Sequence, residues 1–130
     1  MVIDTSALIA IAQLEPEAER FSVLLAQTPG KLISAATRFE CACVIMALKP
    51  KNGLAFINKV LTDTFVETVN FDLAQLEAAT EARRLFGRGS GHRAALNMGD
   101  CYAYALAKTR NMPLLYKGED FSYTDIESAF

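Results

Sequence analysis

The chain has no tryptophan, one histidine, four prolines and three cysteines in 130 residues. A single imidazole, His92, with so few thiols argues against a zinc centre, which draws on His and Cys ligands. Three cysteines is an odd number with no disulfide-framework spacing. Cys41 and Cys43 stand two apart, which on a helix points them to different faces. The expectation is small, buried, structural cysteines. No apolar run approaches the roughly 20 residues needed to cross a bilayer. The first residues lack the basic region and small-residue cleavage site of a secretory signal. A cytoplasmic protein without membrane contact is expected. The net charge of −2 rules out a bulk polyanion binder.

What is present is apolar. Hydrophobic residues make up 52% of the chain, enough for one compact domain spanning 1–130. Charge is unevenly spread. Residues 83–117 hold seven basic side chains (Arg83, Arg84, Arg88, Arg93, Lys108, Arg110 and Lys117) and one acid, Asp100: 7 − 1 = +6, against 6 − 14 = −8 elsewhere. A basic surface around one acid fits a phosphate-bearing partner, and solvated helix faces fit equally.

Periodicity orders the elements. Val2 and Ile3 read as a short buried strand, and TSALIAIAQL as a helix stopped before Pro16. EAERFSVLLAQ is a second helix, KLI a strand, and AATRFECACVIMAL a helix capped by Ser34 and stopped by Pro50. Residues 53–62 are helical, and FVETV, alternating and β-branched, is a strand. Asp72 and Gln75 resemble a capping box opening LAQLEAATEARRLF. GRGSGH is a loop without the ending of a phosphate-binding P-loop. ALNMGDCYAYALAKTR is the longest helical pattern, PLLY a fourth strand, and GEDFSYTDIESAF a tail. Alternating strands and helices predict an α/β fold with a mostly parallel sheet, whose sites lie beyond the carboxyl ends of the strands.

Three acids occupy positions that solvated faces do not explain. Asp4 ends the first strand. Glu40 has Ala36, Thr37, Cys43 and Val44 as its helical neighbours; Asp100 has Leu96, Asn97, Ala103 and Tyr104. An unpaired buried carboxylate costs several kcal/mol, so each must be paired, with Arg38 for example, or must bind a cation. Clustered carboxylates without His or Cys are hard oxygen donors that suit Mg²⁺ or Mn²⁺. Such an ion lowers the pKa of bound water and stabilises phosphoryl charge, so acids, metal and a basic surface together suggest phosphodiester hydrolysis. A haloacid-dehalogenase-type phosphatase also begins with an Asp after its first strand, but needs a second Asp where Ser6 stands. A dinucleotide fold needs a Gly-rich turn that DTSALIA lacks.

MVIDTSALIAI, SAATRFE, LNMGDCYAYALAK and LLYKGEDFSYTDI resemble, in order and spacing, the motifs of PIN-domain ribonucleases, and among them the VapC-type toxins of bacterial toxin–antitoxin pairs. The resemblance spans nearly the whole chain. It implies a three-layer α/β/α sandwich with a central, mostly parallel sheet. It implies an endoribonuclease, dependent on Mg²⁺ or Mn²⁺, that leaves a 5′-phosphate and a 3′-hydroxyl. Transfer RNA is the implied target, translation the implied process, a VapB-like antitoxin the partner and a homodimer the assembly.

Of the family's four acids, Asp4, Glu40 and Asp100 carry over. At the fourth position this chain has Gly118, so Asp120 is the candidate, ahead of Glu119; Asp125 is a cap or a supporting group. Asp4, Asp100 and Asp120 are the implied metal ligands, with Glu40 placing water or a second metal. Thr5 and Ser6 orient Asp4 or cap the helix. Asn97, one turn before Asp100, reaches the scissile phosphate. Arg88 and Arg93 flank the glycine-rich loop as grips on RNA backbone. His92 is structural or RNA-facing. The helix EAERFSVLLAQ and the one ending near Met46 and Leu48 carry surplus apolar residues for a partner, or for the core. The alternative that Gly118 keeps open is an inactive PIN domain that works by binding protein or RNA.

Overall fold

The structure is a computed structural model and describes residues 1–130. The chain runs β1 (Val2–Ile3), α1 (Thr5–Ala12), α2 (Ala18–Gln27), β2 (Leu32–Ser34), α3 (Ala35–Leu48), α4 (Gly53–Asp63), β3 (Glu67–Val69), α5 (Leu73–Phe86), α6 (Met98–Arg110) and β4 (Leu114–Leu115), then a short 3₁₀ turn at Asp120–Tyr123. The four strands form one parallel sheet in the order β3-β2-β1-β4. Val2 pairs with both Leu32 and Leu114, and Ile3 with Leu115. β1 and β4, the first and last strands, are therefore neighbours, with β1 inside the sheet and β4 at its edge.

Alternation across the pleat makes three layers. Ile3 and Leu115 face one layer with Leu8, Phe21, Ile45, Ile57 and Leu61, from α1 to α4. Val2 and Leu114 face the other with Leu96, Tyr104, Leu106 and Phe121, dominated by α6. Each fully buried Ile or Leu contributes about 2 kcal/mol, so these two-residue strands are held by their faces more than by their ladders. No helix is long and apolar enough to cross a membrane.

Local chemistry sets the helix ends. Ser34 Oγ accepts from Ala36 N–H at 3.3 Å, and α3 closes at Lys49 in the left-handed region (φ 54°) before Pro50. Asp72 caps α5 through Gln75 N–H at 2.9 Å. The expected capping box there is one-sided, because the Gln75 amide donates to Asn70 O at 2.7 Å instead. The reciprocal box is at α6, between Asn97 and Asp100. That corrects the expected helix start at Ala95: Ala95 has φ 48° and Leu96 bridges to Gly87, so α6 opens three residues later. α2 also begins late, at Ala18, and the FVETV strand shortens to Glu67–Val69.

Candidate active site

Asp4 leaves β1 with its N–H still donating to Leu115 O at 2.9 Å, then turns to cap α1. Its Oδ2 accepts from Ser6 N–H at 2.9 Å and Ser6 Oγ at 2.5 Å. Neither Thr5 nor Ser6 is the cap; Asp4 is, and Ser6 fixes its carboxylate. Ser6 Oγ also accepts from Lys117 N–H at 2.9 Å, which ties the segment after β4 to the same corner. Thr5 Oγ1 reaches Thr37 O at 3.4 Å. Asp4 is 3% exposed, yet its Oδ1 has no hydrogen-bond partner. A buried carboxylate oxygen left unpaired is costly and is kept only for something that engages it.

Glu40 projects from the second turn of α3 onto the start of α6. A Cβ built on Gly99 would lie 1.1 Å from Glu40 Oε2, so the carboxylate occupies space that any other residue at 99 would fill. Asp100 follows directly. Its Oδ2 accepts from Asn97 N–H at 2.8 Å, and Asn97 Oδ1 accepts from Asp100 N–H at 2.9 Å. Asn97 is thus the helix cap rather than a residue one turn inside the helix, and only its amide nitrogen is left to meet a phosphate. Asp4, Glu40 and Asp100 line one open cavity of about 520 Å³ with Thr5, Ser6 and Asn97, walled by Ile9, Val44, Met98 and Gly99.

The acids feel one another. Burial pushes Asp4 up to about 6; the Ser6 hydrogen bonds oppose this and the Glu40 charge adds to it. Burial likewise lifts Asp100 to about 6, opposed by the Asn97 N–H, raised by Asp4 and Asp120, and opposed by Arg88. Glu40 is raised by burial and by Asp100, against a hydrogen bond from Thr5. Burial and the same acids push the Cys41 thiol up to about 12, which leaves it inert.

Asp120 is exposed at the start of the 3₁₀ turn, outside the cavity wall but close enough for its charge to raise Asp100. Gly118 before it has φ 100°, a conformation that favours glycine. Any side chain at 118, including the acid that the family resemblance implies there, would be strained in this turn. Glu119 accepts instead from Tyr123 O–H at 2.9 Å. Asp125 lies elsewhere, accepting from Tyr104 O–H at 2.7 Å and Lys108 Nζ at 2.5 Å.

The basic stretch is less available than its charge count suggests. Lys117 pairs with Glu15 and Glu17, Arg84 with Glu81, and Lys108 with Asp125. Arg93 stacks 3.5 Å above the Tyr123 ring. Arg38 bonds Thr68 Oγ1 and Asn58 Oδ1, not Glu40. Arg88 keeps no ion pair and sits by Asp100. His92 Nδ1 accepts from Ala94 N–H at 3.2 Å and its ring lies edge-on to Phe86, a turn-stabilising role.

No three His, Cys, Asp or Glu side chains converge as a ready-made metal cage. The donor chemistry nevertheless fits a hard divalent cation: three carboxylates on one cavity, mutually raised pKa values and the orphaned Asp4 Oδ1. Gly99 was missed in the sequence; its signal was a glycine set directly before Asp100 in an otherwise strong helix.

Residues 1–127 match the PIN domain family. Ribonuclease VapC30 of Mycobacterium tuberculosis is 45% identical over 126 residues, covering 97% of this chain and 95% of the relative. Ribonuclease VapC of Mycolicibacterium smegmatis is 44% identical over 126 residues, covering 97% of each. Among solved structures, Mycobacterium tuberculosis VapC20, described as a sarcin-ricin loop cleaving toxin, superposes with a TM-score of 0.77 at 16% identity over 96% of this chain and 95% of its own. A toxin–antitoxin complex from Klebsiella pneumoniae gives 0.68 at 22% identity over 93% of this chain and 89% of its own. With full-length relatives and a shared sheet, the chain belongs to the PIN-domain family, among the VapC ribonucleases.

Proposed function

We propose that this chain is an endoribonuclease toxin that hydrolyses RNA with Mg²⁺ or Mn²⁺ at the Asp4–Glu40–Asp100 cavity. The observation that carries the reading is the buried, unpartnered Asp4 Oδ1 on a cavity shared with two further acids. Asp4 and Asp100 would hold the cation, with Asp120 completing the set from the tail. The cation would supply phosphoryl charge neutralisation and a water of lowered pKa.

The chain's own groups do the rest. Ser6 fixes the Asp4 carboxylate, and the Asn97 cap fixes Asp100. Glu40, its pKa raised, orients the attacking water and takes up its proton. The Asn97 amide nitrogen grips the scissile phosphate, and Arg88, on the adjoining cavity wall, engages the RNA beside it. Water attacks phosphorus, the P–O3′ bond breaks, the leaving 3′-oxygen takes a proton from solvent, and the products carry a 5′-phosphate and a 3′-hydroxyl.

The relatives' names support a ribonuclease, and the Klebsiella neighbour supports an antitoxin as the restraining partner. The resemblance to VapC toxins supports transfer RNA as target and loss of translation as outcome. Phe39, Met46 and Leu48 on α3, and Leu54 and Phe56 on α4, are exposed apolar side chains that suit an antitoxin or a second copy.

The test is to purify the chain free of antitoxin and incubate it with total bacterial RNA in Mg²⁺, Mn²⁺ or EDTA, mapping new 5′ ends. Discrete cuts that vanish in EDTA support the reading and name the RNA. Intact RNA in both metals moves the assignment to a non-catalytic binding module.

A further inference from the structure

A second cavity, of about 680 Å³, opens between α5 and α6 and shares Asn97 and Met98 with the acid-lined one. Its walls are the Phe71 and Tyr102 rings, set edge to face at 5.4 Å, with Leu76, Ala79 and Cys101. Met98 at the shared rim is 70% exposed, as an apolar side chain awaiting a flat partner would be. The polar atoms at the mouth are dominated by donors. Arg83 Nη1 is committed to Leu96 O at 3.0 Å, and the Asn97 oxygen to Asp100 N–H, leaving the Asn97 amide nitrogen and the whole Arg88 fork free. No carboxylate lines this cavity.

An apolar, partly aromatic floor takes an unstacked base, and donors at its rim select an edge of acceptors. Guanine offers two adjacent acceptors, O6 and N7, to an arginine fork. The cavity adjoins the acid site through Met98 and Asn97, so a base seated here belongs to a nucleotide next to the scissile bond.

We propose that the α5–α6 cavity is a base-specificity pocket that holds an unpaired guanine beside the bond to be cut, with Arg88 reading its edge and Met98, Tyr102 and Phe71 forming its walls. The proposal rests on RNA being the substrate of the adjacent site.

Binding in EDTA separates it from the nuclease reading. Fluorescence anisotropy would compare a short labelled oligouridine with the same RNA carrying one central guanosine or one adenosine. The guanosine RNA is expected to bind about tenfold tighter than either, the discrimination of one bidentate contact on a stacked base. Thr80 is exposed, and its hydroxyl donates to Leu76 O at 2.9 Å on its own helix, so Thr80→Trp fills the cavity without entering the core. It is expected to abolish the preference, and Met98→Ala to reduce it, with circular dichroism unchanged. Equal affinity for the three RNAs, or a preference that survives Thr80→Trp, overturns the proposal. A change in molecular mass on Thr80→Trp places a second copy in the cavity and overturns it too. Cleavage of the same RNAs with Mn²⁺ is read separately: base preference without cutting removes the nuclease and keeps the pocket, and cutting without preference does the reverse.

Discussion

Gly99 and Glu40 occupy one volume: a methyl group on Gly99 would lie 1.1 Å from Glu40 Oε2. The atom displaced is the end of a flexible side chain facing an open cavity, so the fold can yield where the site cannot. Gly99→Ala is expected to leave the melting temperature within a few degrees, helped by alanine's better helix propensity. It is expected to lower cleavage about 100-fold, the scale of a 1 Å misplacement of a reacting group. Thermal melts alongside single-turnover rates check both halves. Full activity in Gly99→Ala would remove Glu40 from the site.

Asp4 carries a cost in the folded state. Its folded pKa of about 6 exceeds the ordinary 3.8, so the folded chain binds more protons than the unfolded one between those values. Stability therefore falls as pH rises through that window, and the loss is complete above it. At most about 3 kcal/mol is involved. Asn caps a helix as well as Asp. Asp4→Asn is expected to raise the melting temperature at pH 8, to change it little near pH 4, and to abolish cleavage. Paired melting curves across pH test this; a variant less stable at pH 8 than at pH 4 relative to wild type contradicts it.

A divalent cation should relieve the same cost. Saturating Mn²⁺ at 100 times its dissociation constant would stabilise the wild type by about 2.7 kcal/mol. Asp4→Asn and Asp100→Asn are expected to lose that shift. Scanning calorimetry with Mn²⁺ and after EDTA measures it, and equal shifts in all three proteins would place the cation elsewhere.

The tail acids separate cleanly. Asp125 ties the tail to α6 through Tyr104 and Lys108, whereas Asp120 lies near enough for its charge to raise Asp100. Asp125→Ala is expected to cost about 1 kcal/mol of stability, one charge-assisted contact at the surface, and to leave the cleavage rate alone. Asp120→Ala is expected to do the opposite. Denaturant melts and rates for the two variants decide it.

The parts of the molecule legible in the sequence are those set by local chemistry. α3 and α5 begin and end as read, because Ser34 and Asp72 cap them and Pro50 and Gly87 follow them. Asp4, Glu40 and Asp100 stood out because a carboxylate on an apolar stripe conflicts with its neighbours. What failed to show depends on contacts between distant segments. Ala95 to Asn97 look helical alone, but Leu96 is claimed by the bridge to Gly87. Sequence proximity suggests an Arg38–Glu40 pair; α4 and β3 supply its partners instead, in Asn58 and Thr68. The need for glycine at 99 is visible only once α3 lies against α6. The basic stretch read as a surface has three of its seven cations, Arg84, Lys108 and Lys117, paired with Glu15, Glu17, Glu81 and Asp125.

The central claim is that these acids cleave RNA with a divalent cation. The most direct measurement is the single-turnover rate on an end-labelled RNA bearing a mapped cut, with Mn²⁺ and with EDTA, for wild type and Asp100→Asn of matched stability. Cutting by the wild type in Mn²⁺ alone, reduced at least about 1,000-fold in Asp100→Asn, is the result expected of a group that acts in the transition state. Asp100→Asn cutting at the wild-type rate, or wild type cutting equally in EDTA, would contradict it.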